Sequence, residues 1–378
     1  MGNNIKRKIR KLFEDKMDKF HYYHHLVLAR RKGSDYELKH WPVAKDVYIS
    51  NDCWKRIESL YQGFRFNPGW YAHYKSFWHK MGKENDYDVA RIMPSDFFYS
   101  YIEPYFSNPI AGLEYSDKNM TDLLFPDVRR PKTVIRFQDG VFMNEAYEIV
   151  SRKQAYKMCK DFGNELIIKP SDRSGGGRGI TFWNPHEEDY SLFDRLFVSG
   201  EYYVVQEVVK QHEMMSKLHS GSLNTMRLMT LIWDGQVLLL PSFVRFGVGD
   251  SKVDNAHCGG LFCGIKEDGH LEKYATDFHG NVYKVHPNGC VFDGFEIPSY
   301  KKCVDMVKAL APRFMRITKL ISWDVAVAEN GDPVLIESNL MYSSCEAVQI
   351  AGGPIFGDKT EEIVNWIKKN RKKKFVIN

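Results

Sequence analysis

The sequence has few cysteines, and their spacing would not crosslink a fold. Seven are scattered over 378 residues, with no CxxC pair and no Cys/His cluster. An odd, dispersed set argues against a disulfide framework or a structural zinc site and is typical of reduced thiols. We therefore expect a cytoplasmic protein.

Long apolar runs and a strong charge of one sign are also lacking. No apolar run approaches the length of a membrane span, and the basic start is followed by Phe13 to Lys16 rather than by the apolar region of a signal peptide. Lys and Arg number 53 against 48 Asp and Glu, a net charge of +5. This excess is too small to indicate a nucleic-acid partner.

Basic residues are concentrated at the two ends. Residues 1–32 contain ten Lys or Arg against three Asp or Glu, and six more lie near the end, at Lys368, Lys369, Arg371, Lys372, Lys373 and Lys374. Such runs are usually solvated, whereas a basic amphipathic start can also lie on an anionic membrane surface. We favour the solvated interpretation over membrane contact.

Length and composition indicate a globular protein of two or three domains, with 43% apolar and 27% charged residues. Residues 1–32 have helical spacing, and residues 33–115 are rich in aromatics, which predicts mixed helix and loop in a small domain or cap. We divide the chain into a basic, aromatic-rich region (1–115), a core (116–357) and a closing helix with a basic tail (358–378).

Residues 322–339 predict a β-hairpin that carries polar groups. Two short apolar runs flank turn residues 329–332. Antiparallel pairing can bring Asp324 opposite Glu337, and Glu337 and Asn339 share one face. Three oxygen donors on one face suit Mg²⁺. The alternative is a surface hairpin with ordinary polar decoration.

A glycine-rich loop, residues 170–179, separates two predicted strands. It lacks the spacing of a P-loop and is not followed by the helix of a dinucleotide fingerprint. Flexible glycines can still bring backbone N–H groups against phosphates. Lys169 ends an otherwise apolar strand, so it must reach water or meet an anion. A flexible surface hairpin with an edge-strand lysine is the alternative.

Other polar positions stand out in apolar surroundings. Gln206 and Glu207 end a strand before Val208, so backbone groups there can meet an adenine edge, and Glu213 could accept from ribose hydroxyls. Arg227 interrupts a two-stranded apolar run and is a candidate anion clamp. Each of these residues also has an explanation as a strand end.

In order, these pieces resemble the ATP-grasp superfamily, and most closely its sugar-transfer-associated branch. The matching stretches, all between residues 116 and 357, are SDKN (116–119), IIKPSDRSGGGRGI (167–180), VVQEVVKQHE (204–213), LNTMR (223–227), VDNAHCGG (253–260), HPNG (286–289) and SWDVAVAENGDPVLIESN (322–339). The resemblance implies an α+β ATP-grasp fold, in which two α/β subdomains grip ATP. It also implies a lid subdomain at about 150–210, and the N-terminal helical, aromatic-rich region would be an extension.

The resemblance also implies site residues. Lys118 and Lys169 would contact the phosphates, and the lid loop would contain Ser174, Gly175, Gly176 and Gly177. The adenine would be contacted by Gln206, Glu207 and Val208, and the ribose by Glu213. Asp324, Glu337 and Asn339 would hold two Mg²⁺, with Mn²⁺ as an alternative, while Asp254, Asn255, Gly259 and Gly260 would lie on the acceptor side. Related ligases place an arginine where this chain has Ser322, so Arg227 takes the role of transition-state clamp, with Lys169 beside it in catalysis.

The implied reaction is an ATP- and Mg²⁺-dependent ligation of a small-molecule carboxylate to an amine or a thiol through an acyl phosphate. By resemblance, the substrates would be sugar-linked, in modification of surface polysaccharides or sugar nucleotides. A kinase-like ATP-grasp phosphotransferase and a non-catalytic nucleotide-binding scaffold of glycan assembly are the alternatives.

Overall fold

A computed structural model describes residues 47–108, 115–172, 177–186, 190–341 and 343–370, together with positions 32, 34, 38, 39 and 112. The predicted helix over residues 1–32 lies outside the described residues, apart from its last position. The chain divides into two compact units, one of Ile110–Ser343 and one of Met1–Pro109 with Ser344–Asn378.

The α-helices of the described residues, in chain order, are α1 (Asn51–Leu60), α2 (Gly69–Lys80), α3 (Ser95–Phe97), α4 (Glu103–Phe106), α5 (Thr121–Leu124), α6 (Arg152–Phe162), α7 (Ser191–Leu196), α8 (Glu213–Leu218), α9 (Tyr300–Leu310), α10 (Cys345–Gly352) and α11 (Thr360–Asn370). A π-helical turn, Phe98–Ile102, joins α3 to α4, and short 3-10 turns lie at Val89–Arg91, Lys118–Met120, Ala256–Cys258, Ala311–Phe314 and Gly357–Lys359.

The strands of the same residues are β1 (Thr133–Gln138), β2 (Val141–Asn144), β3 (Ile149–Val150), β4 (Leu166–Pro170), β5 (Thr181–Trp183), β6 (Tyr202–Glu207), β7 (Met226–Trp233), β8 (Gln236–Phe246), β9 (Leu261–Ile265), β10 (Leu271–Thr276), β11 (Val282–Tyr283), β12 (Leu320–Val327) and β13 (Pro333–Asn339).

The unit Ile110–Ser343 contains two antiparallel sheets. One has six strands in the order β3-β2-β1-β6-β4-β5, and the other has seven in the order β11-β10-β9-β8-β7-β12-β13. Helix α6 packs on the first sheet through Ala155 and Cys159, and α9 packs on the second through Cys303 and Val307. Each sheet therefore buries an apolar face under a helix, which leaves the opposite face for other contacts.

Two hairpins of this unit follow directly from the sequence pattern. Strands β12 and β13 pair antiparallel with Asp324 opposite Glu337, around a turn in which Gly331 has φ +82°. Strands β7 and β8 turn at Asp234 and Gly235, both with positive φ, which is the geometry of a type I′ hairpin turn.

The bounds of helix α6 follow from the residues at its two ends. The side chain of Ser151 accepts from the N–H of Gln154, the Gln154 side chain accepts from the Ser151 N–H, and Gly163 ends the helix with φ +78°. These are a capping box and a left-handed C-terminal residue. Helix α9 ends at Leu310, and a 3-10 turn containing Pro312 follows it. Pro312 has no N–H to continue the α-helix.

The other unit is helical and rich in buried aromatic side chains, among them Trp70, Tyr74 and Trp78. The amide of Gln349 on α10 forms two hydrogen bonds with the backbone of Met93, one in each direction, both 2.8 Å. The indole N–H of Trp78 donates to the Gln349 carbonyl at 2.9 Å. The C-terminal helices thus belong to the same unit as the aromatic-rich region.

No helix among the described residues has both the length and the apolar character needed to cross a membrane. All seven cysteines lie in the described part of the chain and are free thiols; four are buried, two are partly buried and Cys258 is exposed.

Candidate active site

A cavity of about 560 Å³ lies between the two sheets of the unit Ile110–Ser343. Its walls come from β4, β5 and the end of β6 on one side, and from β7, β8, β12 and β13 on the other. The loop 250–255 and the segment 207–225 complete the lining. Seven Lys or Arg and five Asp or Glu line the cavity. The excess of positive charge suits an anionic ligand, and the carboxylates suit cations that bind together with that ligand.

The polar hairpin forms one wall of this cavity. Asp324 on β12 lies in register between Glu337 on β13 and Arg227 on β7. The pairing between β12 and β13 shifts by one residue at this point, which makes Ile336 the extra residue of a β-bulge. Both Ile336 and Glu337 consequently line the cavity, although consecutive strand residues normally point to opposite faces.

Asp324 is held by two arginines. Arg227 bonds both of its carboxylate oxygens, Nε to Oδ1 at 2.6 Å and Nη2 to Oδ2 at 3.1 Å, and Arg245 Nη2 reaches Oδ2 at 3.1 Å. Burial opposes ionisation of this carboxyl group, but the two guanidinium groups outweigh burial and lower the pKa of Asp324. Asp324 is therefore ionised at neutral pH and fixes both arginines at the cavity wall.

Arg245 is a further charged residue at this wall that was not predicted from the sequence. It lies on β8 between buried Val244 and Phe246. A charged residue within an otherwise apolar strand is the sequence feature that could have identified it as a site residue. Burial lowers the pKa of Arg245, but Asp324 and Asp254 raise it more, so the net shift is upward. Arg245 therefore remains a cation in this partly buried position.

The oxygen donors of the hairpin fit a hard divalent cation. Glu337 is a third exposed towards the cavity and forms an ion pair with Lys118 at 3.3 Å. The Asn339 amide nitrogen donates to the Ser322 carbonyl at 3.3 Å and lies 3.5 Å from Asp324 Oδ2. Two carboxylates and an amide are Mg²⁺ donors when phosphates and water supply the rest. Across the described chain, no group of three or more His, Cys, Asp or Glu is placed to hold a metal.

Two lysines flank this wall. Lys169 Nζ donates to Gln206 Oε1 at 3.3 Å, and the backbone N–H of Lys118 donates to the Ser171 carbonyl at 2.9 Å. Burial is the main cause that lowers the pKa of Lys169 to about 8, the nearby charge of Lys118 acts in the same direction, and Glu337 and Asp254 act against both. On β4 the side chains of Ile167 and Lys169 face the cavity, while Leu166 and Ile168 pack in the core, as the period of two requires.

Part of the cavity lining is apolar, and Val209, Leu223 and Ile336 belong to one apolar cluster. Ile167, Val209, Leu223 and Ile336 line the cavity next to Val208. Glu207 lies there too and forms an ion pair with Arg129 at 2.7 Å. These apolar lining residues were not predicted, because the sequence of an apolar strand does not indicate which of its residues will face a cavity.

Two predicted nucleotide contacts do not line the cavity. Gln206 is buried beneath Lys169 and also donates to Thr133 Oγ1 at 3.3 Å. Glu213 is the first residue of α8, and its side chain is exposed away from the cavity lining. Of the predicted lid loop, Gly177 lines the cavity with φ +75°, and Ser174, Gly175 and Gly176 lie outside the described residues.

Of the four residues predicted on the acceptor side, two line the cavity and two do not. Asp254 and Asn255 line the cavity, whereas Gly259 and Gly260 shape the loop behind them. A Cβ on Gly260 would lie 2.8 Å from the Asp254 carbonyl oxygen and 2.9 Å from that of Asn255. Only glycine allows this close backbone approach. Burial raises the pKa of Asp254, although Arg245 acts in the opposite direction.

Comparison with known proteins gives one family match. Residues 114–365 match the family model described as sugar-transfer associated ATP-grasp. Comparison with curated proteins finds no match.

Several solved structures are similar at low identity. A carboxyaminoimidazole synthase from Aspergillus clavatus, in complex with ADP, is 10% identical with a TM-score of 0.37 over 65% of this chain and 53% of that one. An L-amino acid ligase from Bacillus licheniformis is 12% identical with a TM-score of 0.36 over 64% and 45%. A D-alanine–D-alanine ligase from Bacillus anthracis is 14% identical with a TM-score of 0.39 over 70% and 73%. The chain thus spans about half the length of the first two.

Proposed function

The chain belongs to the sugar-transfer associated ATP-grasp family, and from this premise we propose that it is an ATP- and Mg²⁺-dependent carboxylate–amine or carboxylate–thiol ligase. The observation that carries the proposal is the meeting of Lys118, Lys169, Arg227 and Arg245 with Asp324 and Glu337 around one cavity. Four cations beside two metal-compatible carboxylates suit the alignment of a polyphosphate with a second anion.

The apolar part of the cavity lining would contact the adenine. Ile167 and Ile336 offer apolar side chains from the two opposing sheets, and backbone groups near Val208 are available to the base edge. The phosphates would then extend towards Lys118 and Lys169. Asp324, Glu337 and Asn339 would hold Mg²⁺, which when bound would offset the phosphate charge.

The proposed reaction has two steps. An oxygen of the carboxylate substrate attacks the γ-phosphorus, the O–P bond forms, and the bond to the β,γ-bridging oxygen breaks as ADP leaves. The amine or thiol then attacks the acyl carbon, the C–O bond breaks, and phosphate leaves with the displaced proton. Arg227 and Arg245 stabilise the negative charge where the carboxylate substrate and the γ-phosphate meet.

Sugar-linked carboxylates are the proposed substrates, because the family is associated with sugar transfer. Modification of surface polysaccharides or sugar nucleotides is the proposed setting, in the cytoplasm, where ATP and free thiols are both maintained. Mn²⁺ could replace Mg²⁺ at the same oxygen donors.

Nucleotide binding is the first test. Mg²⁺-ATP at 100 times its Kd should stabilise the fold by about 2.7 kcal/mol, read as a rise in Tm. GTP should do less, and Glu337→Gln should reduce the Mg²⁺-dependent part of the rise. Release of free phosphate with a panel of uronic acids and amino acids would then identify the ligase. A stable phosphorylated product would indicate a kinase instead, and nucleotide binding without turnover of any substrate would indicate a scaffold. No response to any nucleotide would contradict the nucleotide site itself.

Ile336→Ala should weaken binding of ATP, ADP and AMP to a similar extent, by about 1–2 kcal/mol. The reason is that Ile336 would contact the base rather than the phosphates, and truncation removes buried apolar area. Competition with a fluorescent nucleotide measures all three affinities. An effect confined to ATP would contradict the placement of adenine at this apolar part of the lining, and Ile149→Ala, at an exposed strand position outside the cavity, is the control.

A further inference from the structure

Tyr147 has a backbone conformation that a bulky residue rarely adopts. Among the described residues it is one of five non-glycine residues with positive φ, at +62°, and of these five it alone is aromatic. A bulky residue in the left-handed region is strained, and such strain often lies where a function requires it. Tyr147 is in the turn between β2 and β3 of the six-stranded sheet. The contacts of its side chain indicate what this conformation serves.

A buried arginine fixes the turn. Arg136 on β1 is fully buried, and its Nη1 donates to the carbonyls of Asn144 and Glu145 at 2.9 and 3.1 Å. Its guanidinium carbon lies 3.9 Å from the centre of the Tyr147 ring, which is within the range of a cation–π contact. Arg136 Nη2 also forms an ion pair with Asp122 on α5. The ring of Tyr147 is therefore held beside the segment that leads into α5.

From this position the Tyr147 hydroxyl reaches the turn that carries Lys118. It donates to the backbone carbonyl of Asn119 at 2.7 Å. Asn119 is buried and is the middle residue of the 3-10 turn Lys118–Met120. The Lys118 backbone N–H donates to the carbonyl of Ser171, which directly follows β4, at 2.9 Å. Tyr147 and Ser171 thus attach this turn to the six-stranded sheet at two points.

The side chain of Lys118 reaches the other sheet. Its ammonium group lies 3.3 Å from Glu337 on β13 of the seven-stranded sheet, and both residues line the cavity. A lysine side chain is a flexible four-carbon stem, so the place of its charge depends on where its backbone is held. Groups that bind a ligand work best when a second set of residues keeps them in position to within about 0.5 Å.

We propose that Tyr147 is a positioning residue for Lys118. Its hydroxyl holds the turn Lys118–Met120 so that the ammonium group lies beside Glu337 and the phosphates of a bound nucleotide. The inference rests on the proposed function, in which Lys118 contacts the phosphates, and it adds a residue that does not itself line the cavity. Loss of the hydroxyl should therefore act through Lys118, and on ligands that carry the phosphates that Lys118 contacts.

Tyr147→Phe removes the hydroxyl and keeps the ring over Arg136. Competition with a fluorescent nucleotide in the presence of Mg²⁺ would measure the Kd of AMP, ADP and ATP for the full chain. The ATP Kd should rise about three- to tenfold, as expected for one lost hydrogen bond, while the AMP Kd should change by less than about twofold. In the Lys118→Met background the same substitution should leave the ATP Kd unchanged, because the group that it positions is absent.

Tyr202→Phe is the matched control, since Tyr202 is an exposed tyrosine of the same sheet outside the cavity, and it should bind all three nucleotides as the wild type does. An unchanged ATP Kd in Tyr147→Phe, an equal loss for AMP and ATP, or the same loss with and without Lys118 would overturn the inference. Failure of Tyr147→Phe to fold, measured by urea unfolding, would also overturn it, because the hydroxyl would then support the fold rather than the lysine.

Failure of the proposed function would be distinguishable from failure of this inference. A wild-type protein that binds no Mg²⁺-ATP would overturn both, and it would do so before any variant is compared. Normal binding by the wild type together with an unchanged Tyr147→Phe would overturn the positioning role alone.

Discussion

Asp324→Asn is expected to lose Mg²⁺-dependent turnover by at least about 10²–10³-fold and to destabilise the fold. The carboxylate serves two purposes, since it is a proposed metal ligand and also bonds Arg227 and Arg245 in a buried setting. Removing one partner of a buried ion pair costs about 3–5 kcal/mol, because the remaining charge loses its compensation. Phosphate release and urea unfolding measure the two effects.

Glu337→Gln is the matched control for this prediction. It removes the other proposed metal carboxylate, so turnover should fall similarly, but its ion pair with Lys118 is partly exposed. Such pairs contribute about 1 kcal/mol or less, and the free energy of unfolding should change by no more than that. Full activity of Asp324→Asn would refute the metal assignment, and equal stability of the two variants would refute the arginine-anchoring role.

Lys169→Met is expected to weaken ATP binding by about 1.5–3 kcal/mol, a factor of about ten to 150, through the loss of charge-assisted contacts with phosphate. The effect should grow from AMP to ATP, in contrast to that of Ile336→Ala. Lys153→Met, on the exposed face of α6, should bind ATP normally. An unchanged ATP Kd in Lys169→Met would show that this lysine does not contact the nucleotide phosphates.

The same lysine predicts a pH dependence. Its pKa is lowered to about 8, so the ammonium form is present below that pH and is lost as pH rises through it. Phosphates favour the charged form, and the ATP Kd of the wild type should therefore increase above about pH 8, by up to about tenfold per pH unit. Lys169→Met should lack this dependence between about pH 7.5 and 9.5. A wild-type Kd that is flat over that range would contradict it.

The order of the motifs along the chain was sufficient to predict the family and the fold class. The α+β ATP-grasp assignment is confirmed by the match over residues 114–365 and by two antiparallel sheets with covering helices. The domain bounds and the roles of individual site residues stay predictions. Of the predicted site residues, Lys118, Lys169, Arg227, Asp324 and Glu337 are brought together around one cavity.

What the sequence determined by itself is local. Turn residues set the β12–β13 hairpin, and the period of two then decides that Glu337 and Asn339 share a face. Ser151 and Gly163 set the ends of α6. These features depend on neighbours in the chain, so a single sequence contains the information needed to infer them.

What the tertiary structure decided is non-local. Arg245 reaches Asp324 from two strands away, because β7 lies between β8 and β12 in the sheet. The bulge at Ile336 turns an apolar residue and its acidic neighbour towards one cavity, and Glu213 is exposed and does not line that cavity. Strand order, bulges and the packing of one sheet against another depend on the whole chain, so the residues that share the cavity became evident only once both sheets were in place.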